Sequence, residues 1–198
     1  CTLVDTYSYP GQLQLTLIGP GSGTGFGALE GAPLDLSVYP PPWEIEFCFT
    51  APDDSIPWNI WMNWQVRDKD DNLIGSWHPG VMNDPVKGKH DLWPTSFKIE
   101  FDPPLPESIL ASKPLYMLIQ VIDSRHVRLG FKAKPEDSWT LSKVYDCTEA
   151  LGGKEIGILW QHVWSSVNGR RWGAQPGGPM YQKFLVDYVR YRYGVSEE

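Results

Sequence analysis

A sugar is held by an aromatic ring flanked by carboxamides: the ring packs on the C–H face and the amides bond hydroxyls. That set stands in the stretch WNIWMNWQVR, residues 58 to 67, as Asn59, Trp61, Asn63 and Gln65. These four alternate with Trp58, Ile60, Met62, Trp64 and Val66, so a strand would send one set into a core and the other outward. The competing reading is internal cover. Apolar stripes later in the chain must bury their faces somewhere, and the outer side of this strand is a place to do so.

Other chemistry is thinner. Asp68, Asp70 and Asn72 have the spacing of a calcium loop, but the sixth and twelfth positions, where such a loop has Gly and Glu, are Leu73 and Pro79. A solvated hairpin turn outweighs a dedicated metal loop, with an incidental cation site left open. Asp53, Asp54, Asp123 and His126 fall in loops, and a carboxylate pair among them would suit acid–base work on a glycoside if its separation were right. Acidic loop residues are more often simply solvated. His78, His90, His126 and His162 lack metal-ligand spacing, and neither HExxH, CxxC nor GxSxG occurs. Gly23 to Ala28 matches a loose dinucleotide fingerprint, but no helix signal follows, so a loop is the better reading. No motif implies a cofactor.

The formal net charge of −7 argues against nucleic acid and against docking on anionic lipid. Arg170-Arg171-Trp172 and Arg190-Tyr191-Arg192-Tyr193 therefore read as packing or interface residues. No run of eighteen apolar residues is present. Ten Trp, nine Tyr, eighteen Pro and nineteen Gly favour strands and turns. The three cysteines suggest a lipid-bearing Cys1, as in a lipoprotein, with Cys48 and Cys147 left to form a disulfide. Contact with a membrane would then be through that anchor alone. An extracytoplasmic location, whether cell surface, periplasm or secreted, follows as an expectation.

The elements that must position these residues read as strands. Gln12 to Ile18, Leu34 to Val38, Trp43 to Thr50, Trp58 to Arg67 and Leu73 to His78 come first. Ser96 to Phe101, Leu115 to Asp123 and His126 to Ala133 follow. Residues 80–91 read as a polar connection. Within Trp43 to Thr50 the period-two pattern puts Cys48 on the side away from the core, where it would pair with something lying outside the sheet.

WEIEFCFTAP, the hairpin WNIWMNWQVRDKDDNLIGSW, SFKIEFDPPLP and PLYMLIQVID together resemble immunoglobulin-like and fibronectin-III-like domains over residues 12 to 135. The resemblance implies an antiparallel immunoglobulin-like β-sandwich, with Tyr116 similar to the tyrosine corner. It also implies that Tyr116, Leu118 and Gln120 share a face with Trp61, which adds Tyr116 to the candidate ligand residues. The antibody cysteine pair is missing, and no activity is implied.

After residue 135 the pattern changes. Ile156, Leu159, Trp160, Val163, Trp164 and Val167 recur at helical spacing, and Tyr181, Phe184, Leu185, Tyr188 and Val189 suggest a second helix. Residues 183–193 fit a strand equally. The expected protein is thus mainly β: a sandwich with its lead-in over 1–135 and a C-terminal extension over 136–198 with one or two amphipathic helices packed on it. The expected function is a non-catalytic surface protein, used for assembly or adhesion, with other subunits or copies of itself as partners. It would be a lipoprotein, an appendage subunit or an accessory subunit of a larger complex. The lead-in would add a strand to a neighbour. The alternative is a carbohydrate-binding module centred on Trp61 with a polysaccharide partner, and a third reading is a glycoside or peptide hydrolase.

Overall fold

The computed structural model describes residues 2–9, 12–19, 24–30, 33–51, 58–85, 87–92, 99–168 and 180–193. Cys1, Asp53 and Asp54 lie outside the described residues. The strands in chain order are β1 (Thr2–Tyr9), β2 (Gln12–Gly19), β3 (Thr24–Glu30), β4 (Leu34–Asp35), β5 (Trp43–Thr50), β6 (Trp58–Arg67), β7 (Leu73–Trp77), β8 (Gly80–Asp84) and β9 (Lys89–Leu92). A one-turn helix, α1 (Glu107–Leu110), precedes β10 (Leu115–Val121), β11 (His126–Lys132), β12 (Thr140–Leu141), β13 (Tyr145–Asp146), β14 (Ile158–Asn168) and β15 (Met180–Tyr193). No helix among the described residues is long and apolar enough to cross a membrane.

The strands form two antiparallel sheets. Sheet A runs β1-β2-β15-β5-β10-β11-β12, with β13 also on β11. Sheet B runs β3-β14-β6-β8-β9, with β4 on β14 and β7 on β6. Period-two alternation sets the core. Trp43, Ile45, Phe47 and Phe49 of β5 are buried, as are Trp58, Ile60, Met62, Trp64 and Val66 of β6, which was the expectation for both inner faces. Trp43 of sheet A meets Trp64 of sheet B at 5.9 Å between ring centroids, and Trp77 closes edge-on against Trp64 at 4.8 Å. Large rings bridge the two layers and hold them as one sandwich.

No helix forms over either C-terminal stripe, and of the two readings of residues 183–193 the strand is the one found, as β15. Both stripes are strands, and both lie inside the sheets: β14 between β3 and β6, β15 between β2 and β5. The cause is a coincidence of periods. Leu159, Val163 and Val167 sit at i, i+4 and i+8, which is a helical stripe and also every second inward position of a strand. Gln161 and Ser165, polar at the intervening inward positions, hid the alternation. Residues 80–91 also hold two strands, β8 and β9, where a connection was expected, and β4 is only two residues long. The segment Gly25–Ala28 lies within β3, a strand, so the dinucleotide pattern lacks its helix. The lead-in does not need a neighbour: β2 pairs with β15 of its own chain from Met180↔Gly19 to Val186↔Leu13.

Candidate functional site

β6 is the axis of sheet B, and its neighbours fix what stands beside each of its outward residues. Residues directly opposite in an antiparallel pair share a face. Across β14–β6 the register pairs Trp160 with Gln65, His162 with Asn63, Trp164 with Trp61 and Ser166 with Asn59. Across β3–β14 it pairs Glu30 with His162, Ala28 with Trp164 and Phe26 with Ser166. Across β6–β8 it pairs Trp61 with Gly80 and Asn59 with Met82. The outer face is therefore a ladder of rows about 7 Å apart along the strands. One row is Trp160–Gln65, with Ser76 of β7 beyond it. The next is Glu30–His162–Asn63, and the third is Ala28–Trp164–Trp61–Gly80.

The face is closed at one end and open at the other. Asn59 and Met82 are buried, and Trp61 keeps only 9% of its surface. Gly80 explains part of this. A Cβ there would lie 2.2 Å from the Ile60 carbonyl oxygen and 2.4 Å from Trp61 Cβ, so only glycine lets β8 lie this close. At the other end Gln65, Arg67 and Trp160 are half-buried and Ser76 is exposed. The Arg67 guanidinium stands 5.4 Å from the Trp160 ring centroid and donates to Gln65 Oε1 at 3.4 Å. Trp160, rather than Trp61, is thus the half-open indole on this face. Strand alternation had placed Asn59, Trp61, Asn63 and Gln65 on one side, as the register has them. Trp160, His162, Trp164 and Glu30 join this face only because 158–168 and 24–30 are strands, and neither segment carries a strand signal in the sequence.

Tyr116 is elsewhere. It lies on β10 in sheet A, paired with Cys48 of β5 and Lys132 of β11, so it does not share a face with Trp61. Cys48 and Cys147 are both buried free thiols, and the expected bridge is not formed. Cys147 is part of the core between the sheets, whereas Cys48 points to the outer side of sheet A, as its position in β5 predicts. Burial pushes the Cys48 thiol up to about 11, against a hydrogen bond with Tyr116 that works the other way. Burial also pushes Cys147 up to about 12, helped by Asp146 and Asp123.

The Asp68 turn is built by its own backbone. Asp68 Oδ1 accepts from the Asp70 amide at 3.0 Å, the Asn72 amide at 2.9 Å and Asn72 Nδ2 at 3.2 Å. The Asn72 amide leads the hydrogen bonds that hold its carboxyl below the usual range. Lys154 lies 3.7 Å from its other oxygen. The carboxylate closes the turn, with Asp71 in the left-handed region at φ 64°. Asp123 does the same at the β10–β11 hairpin, where its Oδ1 accepts from the amides of Arg125 and His126 at 2.7 and 2.8 Å. No group of three or more His, Cys, Asp or Glu able to hold a metal occurs among the described residues.

No family model matches the chain, and no curated protein matches it in sequence. Solved structures do match in fold. The alginate lyase of Klebsiella pneumoniae has a TM-score of 0.50 at 11% identity, covering 96% of this chain and 84% of that one. LamAcat from Zobellia galactanivorans has a TM-score of 0.51 at 11% identity, covering 93% and 78%. The GH16 protein of a Bacteroides ovatus mixed linkage glucan PUL, in complex with its G4G4G3G product, has a TM-score of 0.53 at 10% identity, covering 96% and 85%. The likeness is one of fold. It overturns the immunoglobulin-like assignment in favour of the jelly-roll sandwich of glycoside hydrolases and polysaccharide lyases. The expectation of a non-catalytic assembly or adhesion protein, and with it the expectation that the chain is no enzyme, conflicts with these neighbours, which include an alginate lyase and a GH16 protein. Three of the four segments quoted for the resemblance do hold strands, whereas residues 99–106 of SFKIEFDPPLP are not strand and 96–98 lie outside the described residues; alternation and turn spacing are common to many sandwiches.

Proposed function

We propose that this protein is a carbohydrate-active enzyme that lays a polysaccharide along the outer face of sheet B, with His162 at the reacting centre. The row Glu30–His162–Asn63 carries this reading. By register it sets a glutamate, a histidine and an asparagine position abreast on three adjacent strands, with tryptophan positions in the rows on both sides. A carboxylate beside an imidazole fixes its tautomer and raises its basicity, and a neutral imidazole titrates near neutral pH. The amide can bond a substrate carboxylate or hydroxyl.

The acids on this face do not suit a two-carboxylate hydrolysis. Such pairs stand about 5 to 9.5 Å apart. Among the described residues Glu30 on β3 has no second carboxylate in its own row or in the rows on either side. The pair that is close, Asp84 on β8 and Asp91 on β9, is committed to Lys87, whose Nζ stands 3.3 and 3.7 Å from the two carboxylates. A single base suits β-elimination on a uronate polymer. There the base takes the proton α to the carboxylate, the ring carbon's bond to the glycosidic oxygen breaks, a C=C bond forms, and the departing oxygen takes up a proton. The fold shared with an alginate lyase supports the same choice.

The test is a panel of acidic and neutral polysaccharides, read both for the absorbance of the new conjugated double bond and for reducing ends. Elimination raises both, and hydrolysis raises reducing ends alone. His162→Ala is expected to abolish cleavage and leave polymer retention in place, whereas Trp160→Ala weakens retention. Retention without any cleavage would favour a carbohydrate-binding module on the same face, which the half-open Trp160 and Gln65 also suit. A panel with neither retention nor cleavage sinks both readings.

A further inference from the structure

Sheet A has an outer face of its own, and it carries a groove of about 470 Å³ remote from β6 and β14. Its floor is a cross-strand row. The register lines up Tyr188 of β15, Cys48 of β5, Tyr116 of β10 and Lys132 of β11. The next row places Arg190 beside Glu46. One wall is the Trp139–Leu141 segment, which packs over Gly130 of β11: a Cβ there would meet the Leu141 side chain at 2.8 Å and the Trp139 ring at 3.5 Å.

The charges in this groove are held in a particular way. Glu46 is buried, and both its oxygens are used: one accepts from the Tyr188 hydroxyl and the other from Arg192 at 2.9 Å. Lys132 rides over two rings, 4.4 Å from the Trp139 centroid and 5.5 Å from that of Tyr116, and donates to the Pro135 carbonyl at 2.8 Å. Arg190 rides over Tyr188 at 4.6 Å. The Tyr116 and Tyr188 rings are themselves neighbours, 6.5 Å apart. Two cations are thus steered onto adjacent aromatic faces. Like charges so placed repel, while Glu46 is turned to Arg192 and Asp187 is the one other carboxylate lining the groove. In a chain of net charge −7, this is a locally cationic, aromatic-walled cleft.

We propose that this groove is a second glycan site that takes one acidic sugar residue, its carboxylate set between Lys132 and Arg190 and its ring against Tyr188 and Trp139. The sugar class rests on the reading of sheet B as polysaccharide-active, while the site itself rests on sheet A. Aromatic faces with a few convergent charges are what a pyranose uronate needs: apolar contact for the C–H face and charge-assisted bonds for the carboxylate. Its role is to hold the polymer while sheet B works on another segment, which raises apparent affinity without a new catalytic group.

The probes are a short oligouronate and a neutral glucan oligomer of the same length, titrated calorimetrically into the full chain. The oligouronate is expected to bind more tightly than the neutral oligomer, with affinity falling as salt rises. Lys132→Ala and Arg190→Ala are each expected to weaken it about tenfold, the loss of one charge-assisted contact. Cleavage of a soluble short substrate stays at the wild-type rate in both variants, and circular dichroism with a melting curve shows that they are folded. Equal affinity for the two oligomers, or affinity unmoved by both substitutions, overturns the proposal even if cleavage is intact. Lost binding in these variants in a protein that cleaves nothing would leave the groove standing and remove the catalytic reading instead.

Discussion

At the scale of single residues, the buried thiols are the sharpest chemistry outside the candidate site. Cys147 sits in the core with its pKa raised from 9.0 to about 12, burial being the main cause. A group raised on folding contributes its stability in full below the unfolded pKa and loses it as pH rises towards the folded one. The contribution of Cys147 is therefore complete below pH 9 and fades between 9 and about 12. Cys147→Ala removes a core side chain, and the variant is expected to be less stable than wild type at neutral pH by about 1 kcal/mol. The gap should narrow as pH climbs from 9, because only wild type has this thiol to ionise on unfolding. Urea midpoints across that range measure it, and a gap that stays constant would mean Cys147 ionises as readily folded as unfolded. Native thiol alkylation gives a second reading, since Cys48 and Cys147 should both react slowly until the chain unfolds. Asp68 offers a contrast in kind. Its carboxyl is held low by amides of its own turn, so added calcium should leave the melting temperature of the protein where it was.

At the scale of elements, legibility divided along the two periods. β5, β6, β10 and β11 were readable because every second residue of each is apolar, and these inner residues are the core. β14 was not, because Gln161 and Ser165 occupy inward positions opposite Trp64 and Ile60, leaving an apolar pattern that a helix would fit as well. That error cost the site, since Trp160, His162 and Trp164 become partners of β6 only when 158–168 is a strand. β8 was hidden for a different reason. Gly80 reads as a turn residue, yet it is a glycine required by contact. Gly80→Ala should destabilise the protein by about 2 to 4 kcal/mol, since a methyl there meets the backbone of Ile60 and the root of Trp61. Gly75→Ala, in the adjoining strand with nothing within 4 Å of its missing Cβ, should change stability by less than about 1 kcal/mol. Thermal melts of the pair decide between a packing requirement at residue 80 and a general intolerance of the β7–β8 region.

At the scale of the whole molecule, the chain closes its two sheets with segments that are far apart in sequence. Sheet A takes β1 and β2 from the start of the described chain and β15 from its end, and sheet B takes β3 from the first part and β14 from the last. Local pattern cannot report such pairings, because which strands meet is set by how the two layers share a core rather than by any stretch of sequence. The pairing of β2 with β15 makes a testable demand. Seven residue pairs, from Met180↔Gly19 to Val186↔Leu13, cover one edge of β15. Removing residues 1–19 would uncover that edge, and an unpaired strand edge is a template for another chain. The truncated protein should melt at a lower temperature and self-associate in light scattering, whereas the full chain holds its own edge covered. A synthetic peptide of the β2 sequence, QLQLTLIG, added in trans should suppress the association by taking the vacated place. If the truncated chain stays monomeric with an unchanged melting temperature, β2 contributes nothing to sheet A. If it associates and the peptide suppresses this, strand addition is a capacity of this fold that the native chain satisfies internally, and the lead-in is a structural part of the sandwich that carries the candidate site.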